Sequence, residues 1–549
     1  MSLTSWRRIL LCGLMSLMAF ASRAADGRER LVDVAWLQAH REQVLLLDAS
    51  STSAHRAGHI PGAVSVDLYS YGVREPSRAE MAQRIRSWGV GAGRRIVIYD
   101  QGGDMMAPRL FYDLYYHGMP AEALAILDGG LHRWRAAGGA VSTEPTPAPA
   151  PGDFTPSATP REEQRSRLPE FLAATGDRGR QVLVEGLEPA YHYGAQRFFD
   201  RPGHVPHAVL MPGRDFFNED KTFKSSAEIR RMARHLGVRP EQVVHSHCGG
   251  GVAAAVPWFA LHVLAGYPQV KLYLESQHEW LRDDRGLPYW TYGEPQLRRE
   301  AGWVNGWNGA MLRAFDAARL NIVDVREPGA YAQGHPPFAL NLPAARLREL
   351  LGRPAELAAL LGPAGVQPAH EVVLMSDSGV TPDAALAFLA FEQLGQKVSL
   401  LTESVDDWGL KGFELTKEPT RVGARRGLRD MAVPAARYEA APLAERSRPD
   451  PLLADARAAR GEYPPVFVAS GRALPAAAPE GQVLHLPYAE LLTAEGQPKT
   501  AGELWQRIER AGVPRYAQIV FYADDPAEAA VNYYLFRLMG WPDIRVWLR

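Results

Sequence analysis

The sequence has few cysteines, no excess of charge of one sign and few long apolar runs. Its 549 residues include two cysteines, Cys12 and Cys248, and this count excludes a scaffold held by several disulfides. Lys and Arg number 61 against 62 Asp and Glu, so we expect no nucleic-acid partner, which would require a basic surface. Beyond the N-terminal region, the apolar segment Val252–Gly266 is short and contains Pro257, so no membrane-spanning helix is expected there.

The first 24 residues have the features of a secretory signal peptide. Arg7 and Arg8 precede an apolar run, Ile9–Ala21, and small residues at 22 and 24 fit cleavage before Ala25. The apolar run has 13 residues, fewer than the ~20 that a spanning helix needs; an uncleaved membrane anchor is the alternative. We therefore expect an exported protein, located in the periplasm, with no membrane attachment after cleavage.

Cleavage would leave Cys248 as the only thiol of the mature chain. One cysteine cannot form an intramolecular disulfide, and an unpaired thiol in an oxidising compartment is a liability unless it is buried or used. From the count alone, an inert core cysteine and a reactive cysteine both remain open.

Four short β-like runs recur along the chain, at successive spacings of 147, 129 and 147 residues. Each run is followed by small or polar residues and then by an apolar helix that ends at glycine. Strands that alternate with helices predict a parallel sheet covered on both faces. The alternating spacing indicates a duplicated two-domain pair; one large irregular enzyme is the alternative. The runs are Ile96–Tyr99, Val243–Ser246, Val372–Met375 and Ile519–Tyr522.

We therefore predict an α/β protein of four tandem domains, each a parallel sheet with helices on both faces. A length of 549 residues suits several domains rather than a single core. The predicted segments are a signal peptide at 1–24, a first domain at 28–142, a Pro-rich linker at 143–163, a second domain at 164–294, a third domain at 297–415 and a fourth domain at 430–549.

Motifs within these repeats resemble those of the rhodanese (sulfurtransferase) family. The turn Gly58–Ala63, with sequence GHIPGA, matches the family's turn letter for letter. The segments around Asp100 and Leu127–Gly130 look like the inactive first domain of tandem thiosulfate and mercaptopyruvate sulfurtransferases, in which an aspartate commonly occupies the cysteine position. The resemblance implies four rhodanese-like domains.

The resemblance also implies one competent domain among the four. By position, Cys248 of the second domain is the catalytic nucleophile, whereas Asp100, Ser376 and Ala523 take its place in the other domains. The implied activity moves a sulfane sulfur from thiosulfate or a related small anionic donor to a thiophilic acceptor, cyanide or a thiol. A Cys248 persulfide would be the intermediate, with no separate cofactor, and a protein acceptor is left open. The alternative is a sulfur-carrier or docking protein without turnover, built from mostly inactive rhodanese domains.

The loop after Cys248 has the composition that sulfur transfer needs. A cysteine between a strand and a helix meets unpaired backbone N–H groups, which stabilise a thiolate or persulfide anion. Glycines let the backbone curl so that these N–H groups turn inward. The residues expected to bind the transferred sulfur are Gly249, Gly250, Gly251, Val252 and Ala253.

Two arginines are candidates for binding the donor. The resemblance places Arg197 at an arginine that holds the substrate carboxylate in mercaptopyruvate-preferring members, and Arg201 follows in the same segment. Guanidinium groups suit carboxylate or thiosulfonate oxygens; a solvated surface arginine is the alternative for each. The loop lacks both the basic residues of thiosulfate-preferring members and the hydroxyls of mercaptopyruvate-preferring members, so the donor stays open.

Two other chemistries at this loop are disfavoured. A cysteine phosphatase needs an arginine six residues after the cysteine, and position 254 is alanine. A metal site made by His245, His247 and Cys248 would need three ligands close along one strand to surround one ion, so no metal is expected. His247 is left either as an aid to thiolate formation or as a structural group.

Overall fold

A computed structural model describes residues 27–70, 76–91, 93–157, 159–427, 430, 432–442, 448–475 and 478–548. The predicted signal peptide, residues 1–24, lies outside the described residues. The chain divides into two compact units, Met1–Trp290 and Thr291–Arg549. Within the described ranges, no helix combines the length and the apolarity that a bilayer crossing demands.

All four sheets share one topology, and two of them lie in each unit. Each sheet has five parallel strands, and the strand order, numbered along the chain within each sheet, is 1-5-4-2-3. The fourth strand is therefore central, and the loop at its carboxyl end carries Cys248 or its counterpart. The prediction of four tandem α/β domains with parallel sheets is confirmed, while the exact segment boundaries stay a prediction.

The first sheet has its register set by two apolar strands, with Val44 opposite Arg95 and Asp48 opposite Tyr99. Its core joins Leu46 and Val97 to Trp134 of the last helix. The strands are β1 (Leu31–Val32), β2 (Val44–Asp48), β3 (Val64–Ser65), β4 (Arg95–Tyr99) and β5 (Leu124–Leu127). The helices are α1 (Val34–His40), α2 (Thr52–Ala57), α3 (Arg78–Ser87), α4 (Met106–Tyr116) and α5 (Gly130–Ala136).

The second sheet surrounds a core in which Phe171, Tyr273 and Trp280 are buried. Its central strand pairs with the second strand, with Gln181 opposite Val243 and Glu185 opposite His247. The strands are β6 (Arg165–Ser166), β7 (Gln181–Glu185), β8 (Val209–Leu210), β9 (Val243–His247) and β10 (Val270–Tyr273). The helices are α6 (Leu168–Ala174), α7 (Pro189–His192), α8 (Ser226–His235), α9 (Ala255–Trp258), which continues as a wider π-helical segment over Phe259–Leu264, and α10 (Ser276–Trp280).

The third sheet repeats this arrangement around Ile322, Val373 and Trp408. A Thr381 side chain caps its long helix by accepting from the Ala384 N–H, as helix N-termini require. The strands are β11 (Arg298–Arg299), β12 (Leu320–Asp324), β13 (Leu340–Asn341), β14 (Glu371–Met375) and β15 (Val398–Leu401). The helices are α11 (Ala301–Asn308), α12 (Ala310–Ala314), α13 (Pro328–Gln333), α14 (Ala344–Glu349), α15 (Pro354–Leu361), α16 (Pro382–Glu392) and α17 (Val405–Leu410).

The fourth sheet has the same strand order, although its motifs resemble the family least. Its core joins Phe467, Val520 and Tyr522. The strands are β16 (Leu452–Leu453), β17 (Pro465–Ala469), β18 (Gln482–His485), β19 (Gln518–Tyr522) and β20 (Ile544–Trp547). The helices are α18 (Ala501–Arg510) and α19 (Pro526–Leu538).

In each unit, the helix that follows one central strand packs against the corresponding helix of the neighbouring domain. In the first unit, α4 meets the helix after Cys248, with the Phe111 and Phe259 rings edge to face at 5.0 Å. In the second unit, α16 meets α19 through Phe388 and Tyr534, whose ring centroids are 5.1 Å apart. This pairing brings the first domain next to the loop of Cys248.

The predicted Pro-rich linker is extended and bound to the first domain. Over 143–157, 159 and 160 the described chain has no helix or strand. Backbone hydrogen bonds hold it in place, from the Gly152 N–H to the Arg86 carbonyl and from the Phe154 N–H to the Val90 carbonyl.

Candidate active site

Cys248 follows the central strand of the second sheet directly. It is 2% exposed and is the one free cysteine among the residues that the structure describes. The strand ends at His247, and the regular helix begins at Ala255, so residues 248–254 form a tight loop. Cys248 is therefore a buried thiol at the carboxyl edge of the sheet, where α/β proteins place their ligands.

Gly251 closes this loop onto the sulfur. Its N–H donates a hydrogen bond to Cys248 Sγ at 3.1 Å. The residue has a φ of +78°, and a Cβ added there would lie 2.4 Å from the Leu274 carbonyl oxygen. Only glycine fits this backbone and this space. The arrangement suits a sulfur anion, because the N–H donor is fixed in position.

The start of α10 holds the other side of the loop. The Ser276 hydroxyl accepts from the Cys248 N–H at 3.0 Å and donates to the Tyr273 carbonyl at 2.6 Å. The Gln277 N–H donates to the Cys248 carbonyl at 3.0 Å, and the His278 N–H donates to the Gly249 carbonyl at 2.7 Å. Ser276 therefore fixes the backbone of Cys248 directly.

The remaining loop residues differ in what surrounds them. A Cβ at Gly249 would have side chains of Leu187, Phe198 and Phe199 at an ordinary 3.7 Å. Gly250 lines a cavity of about 490 Å³ whose walls carry both arginines and carboxylates. The carbonyls of Val252 and Ala253 accept from the N–H groups of residues 255 and 256, so these two residues form the turn that begins α9.

The two candidate donor-binding arginines lie in different environments. Arg197 is exposed, and its Nη1 donates to the Asp200 carbonyl at 3.2 Å. Arg201 instead donates to four backbone carbonyls, that of Trp280 at the end of α10 and those of Leu281, Arg282 and Leu287 after it. Its guanidinium therefore joins the loop between α7 and β8 to the end of α10 and the residues after it. Donor binding by either arginine stays a prediction.

A buried acidic network lies beneath the site. Glu185 ends β7, and its carboxylate accepts from Gln277 Nε2 at 2.6 Å and bonds His192 Nδ1 at 2.7 Å. The His192 and His204 rings stack at 3.6 Å. Burial raises the pKa of Glu185 and lowers the pKa of His204 to about 3. Asp48, His55 and His59 repeat this arrangement in the first domain, and this symmetry is a signal that sequence comparison of the two domains could have found.

The first domain also reaches the loop of Cys248. The Arg109 guanidinium on α4 donates to the Gly251 carbonyl at 3.2 Å, and the Phe111 ring packs against the Phe259 ring behind the loop.

His247 points into the core of the second domain. It is fully buried, and its ring meets the Phe171 ring edge to face at 5.0 Å. Burial lowers its pKa to about 4, although the Glu185 carboxylate opposes this shift. The imidazole is therefore neutral at physiological pH.

We expect His247→Phe to weaken the acid sensitivity of the first unit. Below pH ~6.5 the unfolded chain protonates this histidine while the folded chain does not until about pH 4, so the wild-type protein loses stability as the pH falls. For each unit by which the pH falls between ~6 and ~4.5, the free energy of unfolding of the wild type should drop by about 1.4 kcal/mol more than that of the variant. Urea unfolding at pH 8, 6 and 5 measures this difference, with pH 8 as the internal control. Parallel pH profiles would contradict it.

The family model described as "Rhodanese-like domain" matches residues 33–137 and 309–411, which lie in the first and third domains. A Pseudomonas aeruginosa protein described as "Probable 3-mercaptopyruvate sulfurtransferase" is 31% identical over 243 residues, covering 42% of this chain and 84% of that protein. The chain belongs to the rhodanese family of sulfurtransferases.

Three further proteins are similar to parts of this chain. "Sulfur carrier protein TtuD" of Thermus thermophilus is 29% identical and covers 46% of this chain and 93% of that protein. The 3-mercaptopyruvate sulfurtransferase of Escherichia coli is 28% identical and covers 45% and 92%. A solved structure of the anaerobic ergothioneine biosynthesis enzyme from Chlorobium limicola covers 48% of this chain and 70% of that chain, at 22% identity and a TM-score of 0.43. Each of these matches less than half of this rhodanese-family chain.

The rhodanese loop of the first domain holds a carboxyl group at the cysteine position. The Asp100 carboxylate stands at the cysteine position and accepts from the N–H groups of Gly102 and Ala107, both at 2.9 Å. Burial raises its pKa, and Asp104 adds to that effect. Backbone N–H groups of the loop thus donate to the Asp100 carboxyl group in the first domain, whereas the Gly251 N–H donates to the Cys248 sulfur in the second.

The corresponding rhodanese loops of the second unit make different hydrogen bonds and ion pairs. Ser376 donates to the Asp377 carbonyl at 3.2 Å, and the Val380 N–H of the same loop donates to the Gly496 carbonyl at 2.8 Å. In the fourth domain, the loop from Ala523 leads to Asp525, which caps α19 and forms an ion pair with Arg348 at 2.6 Å. Neither loop presents a thiol.

The described part of the chain contains no set of side chains suited to bind a metal ion. No group of three or more His, Cys, Asp or Glu side chains is arranged there to hold a metal ion. His245 bonds Ser166 Oγ at 2.6 Å and Gln181 Oε1 at 2.9 Å, so both of its ring nitrogens are used within the fold.

Proposed function

We propose that this rhodanese-family protein transfers a sulfane sulfur from thiosulfate, or a related small anionic donor, to cyanide or a thiol through a Cys248 persulfide. The observation that carries the proposal is the 3.1 Å hydrogen bond from the Gly251 N–H to Cys248 Sγ. It supports a sulfur that bears negative charge during the reaction.

The reaction needs no redox cofactor, because its electrons balance within two displacements. The Cys248 thiolate attacks the outer sulfur of thiosulfate, an S–S bond forms at the cysteine, and sulfite leaves with the electron pair of the donor's S–S bond. The acceptor then attacks the terminal sulfur of the persulfide, and the thiolate leaves with the electron pair of that bond. Cyanide becomes thiocyanate, and a thiol becomes a persulfide.

The chain's own residues have three tasks in this scheme. Gly251 stabilises the sulfur anion through its N–H, and Ser276 fixes the Cys248 backbone. Burial of Cys248 to 2% exposure excludes water and strengthens these electrostatic interactions. A neutral His247 in the core supports a structural role for that residue.

We further propose that the protein acts after export, in the periplasm, on small soluble partners. The N-terminal sequence supports export, and the near balance of 61 basic and 62 acidic residues supports partners other than nucleic acid. A sulfur-carrier role is the second candidate function. It is supported by similarity to a relative that is named as a sulfur carrier.

A donor panel separates these two functions. The protein is mixed with thiosulfate or with 3-mercaptopyruvate, and Cys248→Ser serves as the control. Turnover with cyanide or a small thiol supports the enzyme, and intact mass should show a chain heavier by one sulfur atom. A stable persulfide without turnover would favour the carrier, and no persulfide with any donor would overturn both.

We expect Arg197→Ala to raise the KM for an anionic donor about tenfold, with a much smaller effect on kcat, because an exposed guanidinium that orients the donor acts mainly in binding. Arg201→Ala is the matched comparison. Since Arg201 holds four backbone carbonyls, its removal should lower the Tm, and a KM that rises as well would assign donor binding to Arg201 too. A lowered Tm with an unchanged KM in Arg197→Ala would show that Arg197 is structural as well.

A further inference from the structure

A buried arginine of the first domain reaches the catalytic loop of the second. Arg109 lies on α4 and is 1% exposed. Its Nη1 donates to the Gly251 carbonyl at 3.2 Å, across 142 residues of sequence. Gly251 is the same residue whose N–H donates to Cys248 Sγ. One glycine thus connects a cation of the first domain with the sulfur of the second.

Arg109 is itself held in place. Its Nε donates to Asp113 Oδ1 at 3.0 Å, one helical turn along α4. A buried ion pair is expensive to desolvate, and apolar residues often serve stability equally well. The third domain illustrates this, because the position nine residues after its Ser376 is Ala385, which is fully buried in the matching helix. Packing of this helix alone therefore does not require an arginine.

The contact fixes the orientation of a peptide group that would otherwise turn easily. Three consecutive glycines have little steric resistance to rotation, and Gly251 has a φ of +78°. A trans peptide is planar, with its C=O and N–H on opposite sides. Binding the Gly251 carbonyl therefore also directs the Val252 N–H away from Arg109, and it constrains the residue whose own N–H donates to Cys248 Sγ.

Comparison of the two units indicates that Arg109 and Gly251 serve the sulfur rather than the stability of the fold. In the second unit, Ala523 stands at the cysteine position, and the residue three places later, which corresponds to Gly251, is Pro526. That proline has no N–H to offer a sulfur, and the arginine is replaced by Ala385. The donor glycine and the buried arginine are absent together where the thiol is absent.

We propose that Arg109 is a positioning residue for sulfur transfer at Cys248, which it serves by holding the Gly251 carbonyl so that the loop N–H groups stay directed to the sulfur anion. The inference rests on the proposed function. It gives the first domain, which has no nucleophile of its own, a part in the chemistry of the second.

The test compares Arg109→Met and Arg109→Lys in the full chain carrying Cys12→Ser, so that Cys248 is the sole thiol. Arg109→Met should lower kcat about tenfold with KM changed less than about twofold. It should also move the pH midpoint of the thiolate absorbance at about 240 nm, measured against Cys248→Ser, upward by about one unit. Arg109→Lys, which can still donate one hydrogen bond, should recover part of both losses.

Arg30→Met is the matched control, because it removes another buried arginine of the same domain, one that pairs with Glu122. It should leave kcat and the midpoint unchanged, whatever it does to the Tm. A folded Arg109→Met protein with wild-type kcat and midpoint overturns the proposal. Where Arg109→Met does not fold, Asp113→Asn loosens the guanidinium instead, and an unchanged kcat and midpoint there overturn it equally. A wild-type protein without turnover would overturn the proposed function alone, since the midpoint still reports on Arg109.

Discussion

Cys248→Ser is expected to fold as the wild type does and to transfer no sulfur. Serine is nearly isosteric with cysteine, and its Oγ can accept the hydrogen bond that the Gly251 N–H gives to Sγ. An alcohol, however, does not ionise near neutral pH and cannot store a sulfane sulfur. Transfer from any donor should therefore fall to the uncatalysed background, and intact mass should show no added sulfur.

Cys12→Ser is the control for this loss. Cys12 belongs to the predicted signal peptide, so its replacement should leave transfer by the mature protein at the wild-type level. Circular dichroism and the Tm establish that both variants are folded. Substantial transfer by a folded Cys248→Ser protein would contradict the assignment of the nucleophile, because no second mature thiol could replace it.

Gly251→Ala is expected to be nearly as damaging, through the backbone rather than through the sulfur. The added methyl group would lie 2.4 Å from the Leu274 carbonyl oxygen, at a residue with φ +78°. The loop must move to accept it, and the N–H bond to Cys248 Sγ moves with the loop. We expect a loss of about 2–4 kcal/mol in stability of the first unit and a fall in kcat of about a hundredfold.

Gly249→Ala provides the matched comparison two residues earlier. A Cβ there meets its nearest neighbours at 3.7 Å, which is an ordinary van der Waals distance. Its kcat and Tm should stay close to the wild-type values. Equal effects of the two substitutions on kcat would show that bulk anywhere in the loop, and not the Gly251 backbone, controls the reaction.

Local sequence patterns predict the elements and the loop well, because the information for them is local. The runs that become β4, β14 and β19 are largely apolar, that of β9 begins with two valines, and the helices after them end shortly before a glycine. The glycines after Cys248 likewise indicate a tight loop before any contact is known. The apolar helix predicted after the Cys248 loop does form; it begins at Ala255 and widens after Trp258.

The contacts that complete the site depend on tertiary structure, and no local pattern reports them. The Arg109 bond to Gly251 joins two domains, and Ser276 reaches Cys248 only because β10 lies beside β9 in the sheet. The backbone carbonyls that Arg201 contacts, such as that of Trp280, are also distant in sequence, so no local pattern reports them; donor binding by Arg201 stays a prediction. Long-range partners decide the role of such long, flexible side chains.

The hydrogen bonds of the third-domain loop limit the prospect of engineering a catalytic cysteine there. Two of its N–H groups are already bound, that of Gly379 to the Thr402 carbonyl and that of Val380 to the Gly496 carbonyl. A cysteine introduced at position 376 would enter a loop whose donors are occupied by neighbouring backbone, so its sulfur anion would lack the support that Cys248 receives. Building a second catalytic centre into this chain is therefore a problem of remodelling the turn around Gly496, and a single codon change does not solve it.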